Sequence, residues 1–354
     1  MRKESLAFLQ AVLAQPSPSG YEGPVREVWR RAVSQFADRV EVDLHGNAIA
    51  ALRPQGRPRL MLAGHMDELG LQIAHISDEG YLHFNTIGGF DPTMIAGRKV
   101  WVHTARGPVL GVTGRKAVHL LTSEERDKVP KTHELWIDIG AKDAAAARQR
   151  VAIGDPVTYD PTFELLGEGL AVARGFDDRM GAFVAAETLR RLRQGRGRLR
   201  AGVFAVATVQ EEVGLRGART SAFGIDPLVG IAIDVTHASD HPEVDKRKVG
   251  DIRLGAGPVL TRGANVNPKV FALLMQVAAA ARIPVQVEAT AGGTGTDANA
   301  IQISRAGVAT GLVSVPLRYM HTPVEVLSLA DLDAASRLLA AFALALDEKV
   351  DFTP

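Results

Sequence analysis

No cysteine occurs among the 354 residues. That excludes disulfides, thiol nucleophiles and thiolate-held zinc, so any metal must be bound by imidazole and carboxylate. An excess of either charge is missing too: 41 Lys and Arg face 40 Asp and Glu, a formal net charge of +1. Neither a nucleic-acid nor an acidic-membrane partner is indicated by that balance. Arg190, Arg191, Arg193, Arg196, Arg198 and Arg200 do cluster, but they fit the solvated end of a helix better than a basic patch. Long hydrophobic runs are also absent, and no apolar stretch reaches membrane-spanning length. The opening stretch superficially resembles a signal peptide. Glu4 and Gln10 interrupt it, and Leu6, Leu9 and Leu13 share one helical face, which predicts an amphipathic helix and a cytoplasmic protein.

What is present is an ordinary globular composition, 46% hydrophobic and 23% charged with 35 glycines. The length predicts two domains, or one large core carrying an insertion. Apolar runs at 59–63, 201–207, 229–233 and 309–315 do not alternate with polar residues, the pattern of strands buried on both faces. A hairpin is expected around His45-Gly46-Asn47, helices at 21–37 and 266–281, and a strand at 283–287. A closing helix is expected to start at Ser328, with Asp331 completing a capping box. Between residues 71 and 162 the texture changes. Short segments at 71–76, 81–84, 99–104, 108–113 and 135–139 are divided by Gly, Pro and Asp, and only 142–150 reads as helix, which predicts a small barrel or sandwich. The expected fold is α/β: a mixed, largely parallel sheet flanked by helices (1-69 and 164-354), interrupted by a β-barrel-like domain (70-163).

The polar groups at the ends of these apolar runs carry the chemistry. Val209-Gln210-Glu211-Glu212-Val213-Gly214 follows the run at 201–207, where an α/β sheet opens into its ligand crevice. Neighbouring strand residues face opposite sides, so one glutamate can hold a metal while the other handles a proton. His65 and Asp67, two apart, share a face in extended chain, which lets a carboxylate orient a metal-bound imidazole. Asp234 closes the run at 229–233, His321 follows the last run, and Asp177 stands with Asp178 at a helix start, where capping is the simpler alternative. Gly292 to Thr296 lacks the Gly-Lys-Ser/Thr ending of a phosphate loop and reads as backbone that approaches substrate. Two histidines and three carboxylates exceed one tetrahedral catalytic zinc, but they suit two metals about 3.5–4 Å apart sharing a carboxylate and a water. A further carboxylate must then take the water's proton. A glycosidase built on Glu211 and Glu212 is the rival enzyme. It needs carboxylates roughly 5–9.5 Å apart across the scissile bond and leaves His65 and His321 idle. A non-catalytic scaffold protein is the other alternative, and it leaves the polar set unexplained.

The strings Ala63-Gly-His-Met-Asp-Glu-Leu-Gly70, Phe176-Asp-Asp-Arg179, Val209-Gln-Glu-Glu-Val-Gly214, Ile233-Asp-Val-Thr-His237 and Leu317-Arg-Tyr-Met-His-Thr-Pro-Val324 resemble those of the tetrahedral aminopeptidases, the group that includes glutamyl and deblocking aminopeptidases. The resemblance keeps the motif order along nearly the whole chain. It implies that His65, Asp177, Glu212, Asp234 and His321 hold two divalent metal ions per subunit, zinc, cobalt or manganese, with Asp177 bridging. Glu211 would be the general base and Asp67 the partner of His65. The implied substrates are short peptides with a free N-terminus. The implied assembly is a homo-oligomer built from dimers, commonly a hollow tetrahedral dodecamer, formed through the inserted domain. Gly175 and Thr322 depart from the family pattern without touching the ligands, and the Gly292 to Thr296 loop leaves the side-chain preference open.

Overall fold

In the computed structural model, which describes residues 1–195 and 199–354, the continuous apolar runs become the inner strands of an eight-stranded sheet. Arg196 and Arg198 of the arginine cluster lie outside the described residues. The strands run across the sheet in the order Arg39–Val42, Ala48–Leu52, Gly202–Thr208, Arg59–His65, Val229–His237, Ala309–Leu317, Val259–Gly263, Gln286–Thr290. The four from Gly202–Thr208 to Ala309–Leu317 are mutually parallel, and antiparallel pairings flank them. All seven residues of Gly202–Thr208 are buried, because parallel strands need crossover connections that cover both faces. On one face Trp29, Phe183, Leu189, Leu339 and Phe342 pack from the helices Gly23–Val33, Phe176–Gln194 and Leu329–Ala345. Ala218, Ala222 and Ile301 close the other against Met61, Phe204 and Val206.

Residues 70 to 159 supply a closed six-stranded antiparallel barrel, Gly70–Ile76, Leu82–Ile87, Trp136–Asp138, Gly107–Gly114, Lys99–Thr104 and Pro156–Tyr159 in spatial order. Closure leaves no unpaired edge, and Ile73, Phe84, Val100, Val102, Ile137 and Val157 form its separate core. A small antiparallel sheet, Phe163–Leu166, Leu170–Ala173 and Glu325–Ser328, lies in the chain after the barrel and before the last helix. Among the described residues no helix is long and apolar enough to cross a membrane.

Four local expectations need correction. The barrel has a sixth strand, Pro156–Tyr159, and a second helical turn, Ser123–Arg126, besides Ala144–Arg148. The edge strand is Gln286–Thr290 instead of 283–287; Pro284 has no N–H to donate, and the ladder begins where Gln286 N–H reaches the Pro258 carbonyl at 2.9 Å. Asp234 lies inside the strand Val229–His237, three residues before its end. Ser328 does cap the last helix, accepting from Ala330 N–H at 3.3 Å, but Asp331 closes no capping box. Its two oxygens instead accept from Gly255 N–H at 2.7 Å and Gly257 N–H at 2.8 Å, donors of a loop that has no ladder to join.

One close approach positions the strand that ends in His65. A Cβ on Gly64 would stand 2.2 Å from the backbone of Gly181, in the helix Phe176–Gln194. Adding it must separate strand and helix, and over-packing of this kind costs about 1–3 kcal/mol or more. Gly64→Ala is expected to lower the thermal midpoint by several degrees. Gly224→Ala, where a Cβ meets nothing within 4 Å, should leave the midpoint unchanged or raise it. Equal melting of the two variants in a thermal scan would refute this close-packing argument.

Candidate metal centre

Parallel register sets Thr208 beside His65, so the turn after Gly202–Thr208 emerges next to that ring. Strand geometry stops at Thr208, and Gln210 takes a left-handed φ of 56°. Glu211 and Glu212 therefore occupy a turn and not the strand end expected of them. One carboxylate shapes that turn: Asp67 accepts from Glu211 N–H at 3.1 Å and Glu212 N–H at 3.2 Å, and also from the Ser19 hydroxyl at 2.6 Å. The two glutamates then serve different imidazoles. Glu211 Oε2 is 3.8 Å from His65 Nε2, and Glu212 Oε1 is 3.8 Å from His321 Nε2.

Asp177 stands between the rings, with Oδ1 3.3 Å from His65 Nε2 and Oδ2 3.2 Å from His321 Nε2. Its backbone N–H donates to Glu325 Oε2 at 3.1 Å, while the His321 N–H donates to Glu325 Oε1 at 3.0 Å. Glu325 thus ties the last segment of the chain to the helix start at 176. Asp178, joined to Asp177 by a cis peptide bond, does what acids at helix starts usually do: it accepts from Gly181 N–H at 3.1 Å, and from His65 N–H at 2.9 Å. His65 Nδ1 has the Asp67 carbonyl at 3.1 Å and the Asp67 carboxylate at 3.4 Å. His321 Nδ1 faces the carbonyl of Gly89 at 3.0 Å, so a barrel loop reaches the site. Ligand atoms of His65, Asp177 and Glu212 lie within 4.8 Å of one another, as do those of His65, Asp178 and Asp234.

Sequence reasoning named His65, Asp67, Asp177, Glu211, Glu212, Asp234 and His321, and the fold brings all seven to one place. It missed Ser19, Asp178, Glu325 and the Gly89 carbonyl. Only Asp178, paired with Asp177, and Glu325, four residues after His321, left any local signal.

Negative charge outweighs positive here. Burial first, then Asp234, Asp297 and Glu212, pushes the Glu211 carboxyl up to about 10 against the pull of His65. Burial and Asp177 lift Glu212 to about 7. Burial also raises Asp234 and Asp178, each with carboxylate neighbours adding to it. Burial alone would depress the His65 imidazole, but Glu211, Asp177 and Asp67 hold it above its usual value. His321 rises to about 9, chiefly through its bond to Asp177. Asp177 alone among these acids is held low, since its two imidazole partners overcome burial. Among the described residues Glu211 Oε1 and Glu212 Oε1 are buried without a hydrogen-bond partner. Crowded carboxylates, free buried oxygens and imidazole nitrogens form a donor set suited to a divalent cation of the zinc, cobalt or manganese kind.

An ion-pair cluster fixes the surroundings. Glu68 is fully buried against the guanidinium of Arg174 and that of Arg179, the latter at 3.1 Å. Its other oxygen accepts from Ser17 N–H at 2.9 Å, and Arg179 donates to the Gln15 carbonyl at 2.6 Å.

A hydrolase of the α/β class, taking divalent metal at the carboxyl edge of its parallel strands, is the kind of protein these features define. The profile of the M42 glutamyl aminopeptidases matches residues 46–338. A lysyl aminopeptidase of Pyrococcus furiosus is 39% identical over 351 residues, covering 98% of this chain and 99% of that protein. The solved TET aminopeptidase of Thaumarchaeota archaeon SCGC AB-539-E09 superposes with a TM-score of 0.93 at 36% identity, over 98% of this chain and 97% of that one. Pyrococcus horikoshii TET1 peptidase, which can assemble into a tetrahedron or a large octahedral shell, gives 0.85 at 35% identity, over 97% and 100%. The chain belongs to the M42 glutamyl aminopeptidase family. It is a metal-dependent aminopeptidase.

Burial on its own would raise the Glu68 carboxyl; Arg174 and Arg179 overcome it and hold the group below the ordinary glutamate value. A folded pKa below the unfolded one stabilises above the unfolded value, about 4.3, and this contribution is lost as pH falls through the folded value. Glu68→Gln leaves two buried guanidiniums short of their counter-charge and is expected to cost about 3–5 kcal/mol at pH 7. Denaturant titration at pH 7 and at about pH 3.5 should show the gap between wild type and variant shrinking on acidification. A gap that widens would contradict this sign.

Proposed function

We propose that His65, Asp177, Glu212, Asp234 and His321 hold two divalent cations with Asp177 shared between them, and that Glu211 is the general base in releasing the first residue of short peptides with a free N-terminus. The observation that carries this reading is Asp177, whose two oxygens face two different histidines at 3.3 and 3.2 Å. Such cations supply Lewis acidity and lower the pKa of water. Asp178 is a positioning residue in this scheme, because both of its oxygens already accept backbone N–H groups. Asp67 positions as well, fixing the turn that carries both glutamates. Glu211 is buried beside His65 with one oxygen unpartnered. It can accept a proton and return it to the leaving amine without first breaking a protein hydrogen bond at that oxygen.

The catalytic unit is assigned to residues 1-69 and 164-354, and the barrel, 70-163, to oligomerisation in the cytoplasm, with dimers building a tetrahedral dodecamer. Exposed apolar side chains that a partner subunit would cover fit this reading: Leu110 on a barrel strand, 48% exposed, and Leu120 and Val129 in the connection that follows it, 70% and 63% exposed. The shells formed by the Pyrococcus horikoshii relative support it as well.

The test is hydrolysis of short peptides with free or acetylated N-termini, before and after chelation and with zinc, cobalt or manganese restored. Metal-restored release of the first residue from free amines alone is expected. Equal cleavage of acetylated peptides would remove the requirement for a free amine. Glu211→Gln should lower kcat by about 10²–10⁴-fold while metal analysis finds the wild-type metal content. Near wild-type kcat in that variant would remove Glu211 as the base.

A further inference from the structure

A cavity of about 320 Å³ opens onto the candidate ligands and Glu211, and its remaining wall is mostly threonine and serine hydroxyls and short apolar groups. Among the described residues no lysine or arginine lines it, and the one further imidazole, His237, is exposed. One further carboxylate does line it, that of Glu288 on the edge strand Gln286–Thr290.

Two hydroxyls hold that side chain in place. Thr236 donates to Oε2 at 2.6 Å and Thr261 donates to Oε1 at 2.6 Å. Both donors are neutral, so they orient the carboxylate and leave its charge in place. An ionised carboxylate offers about four acceptor positions, and two remain open. Among the described residues Glu288 has no basic partner.

Its position relative to the metal centre follows from the strand. Thr236 is two residues beyond Asp234 in Val229–His237, on the same face and about 7 Å further along. That offset is comparable to the four-carbon stem of a lysyl side chain, which ends in a compact ammonium.

We propose that Glu288 is the charge-selecting residue of this cavity and gives the protein a preference for peptides whose first residue is basic. The inference rests on the aminopeptidase reading above, since it takes the first side chain of the substrate to enter this cavity when the free amine is held at the metal centre. A lysyl or arginyl side chain would meet an oriented carboxylate and form a charge-assisted hydrogen bond. An acidic first residue would meet a like charge. An apolar one would cover Glu288 and strip its water without replacing it.

The experiment compares kcat/KM of the metal-loaded protein on peptides that differ only in the first residue: lysine, arginine, norleucine and glutamate. Norleucine keeps most of the lysine stem and lacks the charge, so the ratio of lysine to norleucine isolates the effect of Glu288. That ratio is expected to be about tenfold or more in wild type, with glutamate the poorest substrate. In Glu288→Gln it should fall to near unity, and Glu288→Lys should reverse the order of lysine and glutamate. Calorimetric titration with free lysine and free norleucine gives a second readout: wild type binds lysine more tightly, and Glu288→Gln loses the difference. Should the variants fail to fold, the wild-type panel and titration still decide. A wild type that takes norleucine or glutamate as well as lysine overturns the proposal, as does a Glu288→Gln protein slowed equally on every peptide. Release of norleucine without preference for lysine would overturn charge selection alone and leave the aminopeptidase reading standing. No release from any peptide under any metal would overturn both.

Discussion

Asp177 meets His65 with one oxygen and His321 with the other, and most of the surrounding contacts hold those three groups still. His65 is fixed on its backbone by Asp178 and on its ring by Asp67. His321 and Asp177 are tied to each other through the two oxygens of Glu325. Behind them Glu68, Arg174 and Arg179 join the turn at 15–17 to the segment that carries Asp177. These residues come from four separate parts of the chain. Only a fold that brings distant segments to one edge can assemble them.

The parallel sheet provides that edge. Its strands are buried along their lengths and end on one side, so side chains that follow them share a crevice. The close packing of Gly64 against Gly181 lets the strand carrying His65 lie directly under the helix whose first turn carries Asp177 and Asp178. The barrel is less separate from this site than its own core suggests, since the Gly89 carbonyl faces the ring of His321. An element proposed for assembly therefore also touches a candidate ligand, and distortion of the barrel would be felt at that ring.

Features with a local cause were legible in the sequence. Continuous apolar runs marked the inner strands because burial on both faces leaves no polar alternation, and short runs broken by Gly, Pro and Asp marked the barrel. His65, Glu211, Glu212 and His321 stood out because each interrupts or follows an apolar stretch. Features decided by tertiary partners were hidden. Asp331 has the spacing of a capping box, yet its oxygens go to Gly255 and Gly257, and nothing near residue 331 announces that loop. Glu211 and Glu212 were read as strand residues because the turn that holds them is made by Asp67, more than a hundred positions earlier. Glu325 stands close to His321 in the chain, but its role as the acceptor of two backbone N–H groups came only with the fold.

The charge balance of the site connects stability to function. Buried carboxylates outnumber the two imidazoles among them, and burial with mutual repulsion raises Glu211, Glu212, Asp234 and Asp178. Such a cluster opposes folding unless positive charge is supplied. A cation that binds only the folded chain supplies it and stabilises the fold by mass action, so the same ions are coupled to both folding and activity. In the proposed scheme their field also acts on Glu211, the carboxylate assigned as the base. Positive charge nearby favours the ionised form and opposes the burial that lifts Glu211 to about 10. In the proposed scheme a buried acid too basic to ionise near neutral pH in the bare chain becomes in this way a carboxylate able to accept a proton, and the metal would be a condition for the proposed base as well as for the nucleophile.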